Sequence, residues 1–219
     1  MNIYSYFLLF LFYSFVGWII EIINEIIRER RFVNRGFLIG PYCPIYGYGM
    51  LLIIFLLTRY LDEPVVLFVM CVILCSILEY FTSYIMEKMF KARWWDYSDR
   101  KFNINGRICL ETLIPFGVGG LLIMYLVNPF MVSLITSIPS LILKAISIIL
   151  FILFMIDNFI SFKIIFGFRK TTKKAQKDDT VEITAFVKEI LTNKSKLNKR
   201  LIKSFPGLKV KYKKKKVKK

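Results

Sequence analysis

Residues 65–87 read VVLFVMCVILCSILEYFTSYIME, and residues 88–107 read KMFKARWWDYSDRKFNINGR. The first run is long and apolar enough for a membrane-spanning helix, which needs roughly 20 mainly apolar residues. It carries one acid well inside, Glu79, and another, Glu87, at its end. The second run is basic and aromatic, and it closes on Gly106 before apolar sequence resumes at residue 108. The same order occurs earlier in the chain. Residues 3–26 are apolar with Glu21 inside, and the loop at 31–49, RFVNRGFLIGPYCPIYGYG, leads through glycines into further apolar sequence. The loop glycines repeat at a constant spacing of 70 residues: Gly36 with Gly106, Gly47 with Gly117, Gly49 with Gly119. This reads as one module occurring twice. An ionised carboxylate in hydrocarbon is costly, so each buried glutamate needs a partner, a proton or water.

Outward from this module, the 219 residues are 56% hydrophobic with a mean hydropathy of +0.55, values of an integral membrane protein rather than a soluble domain. Four spans are direct, at about 3–26, 65–87, 108–127 and 141–162, and a shorter fifth lies at about 45–60 behind Pro44. Residues 128–140, bracketed by Pro129 and Pro139, read as an interfacial segment or the tilted start of the last helix. The opening Met-Asn-Ile-Tyr has no basic n-region and no small-x-small site follows it, so the first apolar run reads as a retained helix.

The net charge of +17 is mostly a property of the C-terminal region, since 20 of the 32 Lys and Arg lie from Lys163 onward. The remaining positive charge falls mainly in the loops at about 25–44 and 88–107. The positive-inside rule then places both loops and the tail in the cytoplasm and the N-terminus outside. The expected fold is an all-α polytopic helix bundle of about five spans: two like-oriented helix pairs plus one, as in parallel repeats. Residues 1–166 form the transmembrane domain and residues 167–219 a basic cytoplasmic tail. Within the tail, residues 180–192 space their apolar side chains for a short amphipathic helix. Its closing KYKKKKVKK reads as a solvated arm or an anionic-lipid contact, while nucleic-acid binding is disfavoured because no such module is present.

Histidine is absent, which removes imidazole acid–base catalysis and His-ligated zinc. Of the four cysteines, Cys71 and Cys75 share a helix face and read as packing rather than a metal or redox pair. No cofactor is implied. The polar residues that stand out are acids in the inner half of the spans. By the 1.5 Å helical rise, Glu21 lies about 9 Å, Glu79 about 12 Å and Asp157 about 10–15 Å from the inner ends of their helices. Glu111 opens the fourth helix at the edge, and Trp18, Glu21 and Glu25 form one stripe while Ser76, Glu79, Ser83 and Glu87 form another. Arg35, Arg93 and Arg107 in the loops have the forked geometry to meet these carboxylates, and Asp96 lies among them. Two readings stay open. The acids either pair with loop arginines and lock the bundle, or they line a polar cavity for a cation, a proton or a polar substrate. The candidate binding residues are Glu21, Glu79, Asp157, Arg35, Asp96, Arg107 and Glu111. Tyr42, Tyr46, Trp94, Trp95 and Tyr97 suit headgroup level, and the loops that carry them read either as interfacial loops with aromatic anchors or as loops folded back to form part of a binding site.

The strings NRGFLIGPYCPIYGYG (34–49) and LEYFTSYIMEKMFKARWWDYSDRKFNINGRICLE (78–111) resemble the two signature regions of the bacterial family described as putative ABC-transporter permease, the CmpB-like type. The similarity covers about residues 1–165. It implies a multispanning protein of the bacterial plasma membrane and marks Glu21, Arg35, Gly36, Gly40, Pro41, Pro44, Gly47, Glu79, Trp95, Asp96, Tyr97, Gly106, Arg107 and Leu110 as motif positions without assigned chemistry. The chain contains no GxxxxGK[ST], so any ATP hydrolysis belongs to a separate subunit, for which residues 85–93 are a docking candidate. A permease-like component is the leading expectation. The alternatives are an inner-leaflet enzyme on lipid or lipid-phosphate, using Asp96, Asp99, Glu111 and the loop arginines, and a membrane scaffold or regulatory subunit. Membrane lipid, a separate ATPase and a second copy of the chain are the expected partners.

Overall fold

A computed structural model describes residues 1–30, 32–90, 92–174, 189, 196–205 and 208–210. The expected helix at 180–192 and the lysine run at 211–219 lie outside the described residues, apart from Glu189. The chain is an all-α bundle. Helix α1 (Ile3–Glu29) starts where the Asn2 side chain accepts from the Ser5 amide at 3.0 Å, and it ends at Arg30 in the left-handed region, φ 50°. Helix α2 (Pro44–Leu57) begins on a proline, whose missing N–H has no intrahelical partner to lose in a first turn, and it tightens into a 3-10 turn at Thr58–Tyr60. Helix α3 (Pro64–Phe90) returns. Helix α4 (Leu110–Leu122) runs through a π-turn (Ile123–Val127) into α5 (Asn128–Thr136), and α6 (Ser140–Lys174) is the last long helix.

Four helical stretches are long and apolar enough to cross a membrane: Ile3–Ile27, Pro64–Phe90, Leu110–Thr136 and Ser140–Ile164. The stretch Pro44–Tyr60 is shorter. Its α-helical and 3-10 parts together reach ~27 Å, close to the ~30 Å hydrocarbon core. Large apolar side chains such as Ile73, Ile77, Phe151 and Leu153 stand exposed on α3 and α6, which suits lipid-facing surfaces.

Residues 128–136 are not the start of the last span; they extend the fourth helix. Pro129 is tolerated because it sits in the first turn of α5, after the π-turn has shifted the hydrogen-bond register. The break comes later, at residues 137–139. Tyr13 on α1 donates to Asn128 at 3.2 Å, tying this junction to the bundle.

The two modules appear as two tightly packed hairpins, α1 with α2 and α3 with α4. Gly47 and Gly117 play the same part in each. A Cβ on Gly47 would lie 2.5 Å from the Phe10 carbonyl of α1, and one on Gly117 would lie 2.3 Å from the Phe68 ring of α3. Small residues of this kind let membrane helices approach closely. The other two pairs diverge. Gly106 has φ +65° while Gly36 has no positive φ, and a Cβ on Gly49 would meet Leu78 at 3.3 Å where Gly119 has open space.

An apolar core including Leu9, Tyr13, Ile53, Leu67 and Cys71 fills one half of the bundle. At the opposite end, Phe90, Ala92, Trp94, Leu201 and Leu208 form a second cluster. Part of the tail is therefore folded onto the loops rather than solvated. Helix α7 (Lys196–Ser204) and the segment Lys209–Val210 pack there, the latter pairing antiparallel with Ala92–Arg93.

Candidate functional site

Glu21 lies on the face of α1 that meets α2. Its Oε1 accepts from the Tyr46 hydroxyl at 2.7 Å, and its Oε2 is 3.6 Å from Arg35 Nε. Arg35 also donates through Nη1 to Glu25 Oε2 at 2.6 Å, one turn further along α1. One loop arginine thus bridges two carboxylates on the same helix face. Close approach of Tyr46 is possible because Gly17 has no side chain; a Cβ there would lie 2.2 Å from the Tyr46 ring. Trp18 continues the stripe and donates to Asn34 at 2.8 Å, which sets the position of the residue preceding Arg35.

Glu79 is the counterpart on α3. Tyr97, from the second loop, donates to its Oε1 at 3.3 Å. The Thr112 hydroxyl also lies near this carboxyl, but it donates to the Cys109 carbonyl at 2.8 Å, so Oε2 is buried without a hydrogen-bond donor, and no cation forms a salt bridge to it among the described residues. The two glutamates share one neighbourhood: burial pushes the Tyr97 phenol up, and the carboxylates of Glu79 and then Glu21 add to the push. The Cys43 thiol, at the mouth of α2, is pushed up to about 12 by burial and by Glu21, with Arg35 pulling the other way. Glu21, Glu79 and Arg35 are therefore brought together, along with Glu25, Tyr46 and Tyr97.

Asp157 on α6 does different work. Among the described residues it makes no salt bridge to an arginine. Oδ1 accepts from the Ile39 amide at 2.9 Å and the Ser161 hydroxyl at 2.8 Å; Oδ2 accepts from the Gly40 amide and the Tyr42 hydroxyl, both at 2.6 Å. Four donors satisfy a carboxylate fully, so Asp157 fastens the loop of residues 34–42 to α6. The Tyr42 phenol is raised by burial and by this acid.

Asp96 and Arg107 belong to a separate cluster centred on Glu87. Glu87 Oε2 lies 2.9 Å from Arg93 Nε and 3.0 Å from Arg107 Nη2, while Arg93 Nη1 reaches Asp96 at 3.3 Å. Burial pulls Arg93 down, but the Glu87 and Asp96 carboxylates outweigh it and hold the guanidinium above its ordinary value. Arg107 also donates to Ser83 at 3.1 Å and lies over the Tyr80 and Tyr84 rings. Gly106 makes this cluster possible, since with φ +65° a Cβ there would lie 2.5 Å from Asp96 Oδ1. Glu111 stands apart, 57% exposed and 3.2 Å from Arg100. The candidate residues of the sequence thus divide among a two-glutamate cluster, a loop anchor, an ion-pair cluster and one surface pair.

Tyr42, Tyr46 and Tyr97 point their hydroxyls at half-buried acids of the helices rather than at headgroups. A phenol supplies one donor on an apolar ring, which suits an acid that must stay solvated inside a bundle. Among the described residues, no group of three or more Asp, Glu or Cys side chains is arranged to hold a metal ion.

A family model described as putative ABC-transporter type IV matches residues 8–162. The match ends within α6, so helix α7 and the docked segment lie beyond it. No curated protein and no solved structure gives a significant match.

Proposed function

The chain belongs to the putative ABC-transporter type IV family, and from that premise we propose that it is a permease-like membrane component of the bacterial plasma membrane. Its working site is the cluster of Glu21 and Glu79 between the two hairpins, facing the cytoplasmic end. The observation that carries this reading is the asymmetry of Glu79. One oxygen is held by Tyr97, and the other is buried with no partner among the described residues. A carboxylate in that state takes up a cation or a proton rather than remaining bare. Glu21, by contrast, is already engaged by Arg35 and Tyr46. The site's cargo class is then a cation or proton, with Glu79 as the exchanging group and Glu21 as its charge neighbour. Asp157, Asp96, Arg107 and Glu111 support the loops around it.

ATP hydrolysis, where it drives the system, comes from a separate subunit, because the chain has no P-loop. The enzyme reading has less support, because Arg93 and Arg107 already bind Glu87 and so are not free to hold a lipid phosphate. The test is flux into proteoliposomes containing the full chain, with an internal pH-sensitive dye and imposed Na⁺, K⁺ and proton gradients. Flux lost in Glu79→Gln but kept in Glu111→Gln supports the proposal. Equal flux in the wild type and Glu79→Gln removes Glu79 from the mechanism.

A further inference from the structure

The loop of residues 34–42 is gripped from two sides. From α6, Asp157 binds the Ile39 and Gly40 amides and the Tyr42 hydroxyl. From the tail, Arg200 Nη2 donates to the Leu38 carbonyl at 2.9 Å, and the Ser204 hydroxyl donates to the Asn34 carbonyl. These tail contacts are buried: Ser204 is 0% exposed, Leu201 3% and Leu208 2%. Phe205 packs edge-on against Trp94 of the second loop, with ring centres 5.0 Å apart. Arg200 is an expensive residue to place there. Burial holds its guanidinium below the ordinary value, with Asp157 drawing it back up, and its Nε and Nη1 have no protein partner among the described residues. It lines a cavity of about 10 Å³ shared with Ser161 and Ile39, the smallest space that holds one water.

We infer that residues 196–205 form a strap, with Arg200 and Ser204 holding the loop of residues 34–42 closed over the Glu21 cluster, so that releasing the strap opens that cluster. The link is short. Asn34, gripped by Ser204, immediately precedes Arg35, the residue that bridges Glu21 and Glu25. At the far end of the same loop stands Cys43, 8% exposed, whose thiol senses both Glu21 and Arg35. The device goes beyond the transport proposal and holds whatever the cluster carries.

Cys43 is also the reporter. In the full chain with Cys71, Cys75 and Cys109 changed to Ala, native-state maleimide labelling of Cys43 is measured for the intact tail, for deletion of 196–219 and for Arg200→Gln. The companion reporter is Cys109, 2% exposed at the start of α4 on the same end, in a chain with Cys43, Cys71 and Cys75 changed to Ala. Expected is an increase in Cys43 labelling of roughly tenfold on deletion and about threefold in Arg200→Gln, with Cys109 changed by less than about twofold, as for local opening. Unchanged Cys43 labelling in both variants overturns the strap. Equal acceleration of Cys43 and Cys109 also overturns it, since the tail would then stabilise the whole end rather than this loop.

Discussion

The hydroxyl of Tyr46 on α2 donates to the carboxylate of Glu21 on α1 across 2.7 Å, with the base of the Tyr46 side chain packed against Gly17. The bond joins the two helices of the first hairpin at the level of its half-buried acid. Tyr97 and Glu79 make the corresponding contact in the second hairpin, but through a loop residue and over 3.3 Å. The first acid is therefore held tightly, and the second is held loosely with an oxygen to spare.

Removing the Tyr46 hydroxyl leaves Glu21 short of one donor. Tyr46→Phe is expected to destabilise the protein by about 1–2 kcal/mol, as for loss of one hydrogen bond to a charged group that is 30% exposed and keeps Arg35. Tyr48, 55% exposed on the same helix, is the control, and Tyr48→Phe is expected to be neutral. Thermal unfolding of the detergent-solubilised protein reads the difference.

Glu87 carries two arginines on one oxygen, and both are nearly buried, with side chains 10% and 8% exposed. Glu87→Ala takes the carboxylate partner from Arg107 and leaves Arg93 with Asp96 alone, and is expected to cost about 3–5 kcal/mol, as when one partner of a buried pair is removed. Glu111→Ala breaks an exposed pair with Arg100 and is expected to cost under ~1 kcal/mol. Similar unfolding temperatures for these two variants would contradict the ion-pair cluster.

The glycine pairs separate packing from mere recurrence. Gly117→Ala drives a Cβ into Phe68 and is expected to cost about 1–3 kcal/mol through overpacking, whereas Gly119→Ala meets open space and should stay within about 0.5 kcal/mol. The 70-residue spacing treats them alike. What distinguishes them is which face of α4 turns toward α3, and that is a tertiary fact.

The same limit explains what was and was not legible in the chain. The spans and the paired acids Glu21 and Glu79 follow from hydropathy and spacing, because a charge in an apolar run is conspicuous. The donors that satisfy them are not conspicuous. A tyrosine in an aromatic loop looks the same whether it meets a headgroup or a carboxylate. Asp157 was visible as an intramembrane acid, but two of its partners are backbone amides, which no side-chain pattern reveals. Docking of Leu201 and Leu208 was hidden by the lysines around them, since a few apolar side chains in a basic tail become informative only beside Phe90 and Trp94. The helix through Pro129 was missed because a proline ends a helix only where its N–H would have been used.

Asp157→Asn tests the loop anchor. Each carboxylate oxygen accepts from two donors, so an amide in either orientation turns an NH₂ toward two of them: Ile39 N and Ser161, or Gly40 N and Tyr42. The loop of residues 34–42 is expected to loosen, and chymotrypsin should cut after Phe37 or Tyr42 at least ~10-fold faster than in the wild type if opening is local. Ser161→Ala removes one donor and leaves the carboxylate, so its cleavage rate should stay near that of the wild type.

Cys43 extends the same reasoning to pH. Its thiol is raised to about 12, first by burial and then by Glu21. The thiolate is the reactive form, so little of it exists at neutral pH in the folded protein. In the single-cysteine chain, labelling should keep rising through pH 9–10 instead of levelling near the ordinary thiol value of ~8.5. The stability effect has a definite sign. A thiol with a raised folded value stays neutral in the folded state while the unfolded chain ionises above its own value, so stability is fully present below ~8.5 and falls as pH rises toward about 12. Cys43→Ala should therefore flatten the alkaline loss of stability. Glu21→Gln removes the second cause but leaves burial, and should move the labelling profile toward lower pH by less than detachment of the loop does. A wild-type profile that levels near ~8.5 would place the thiol in water, and with it the mouth of the Glu21 cluster.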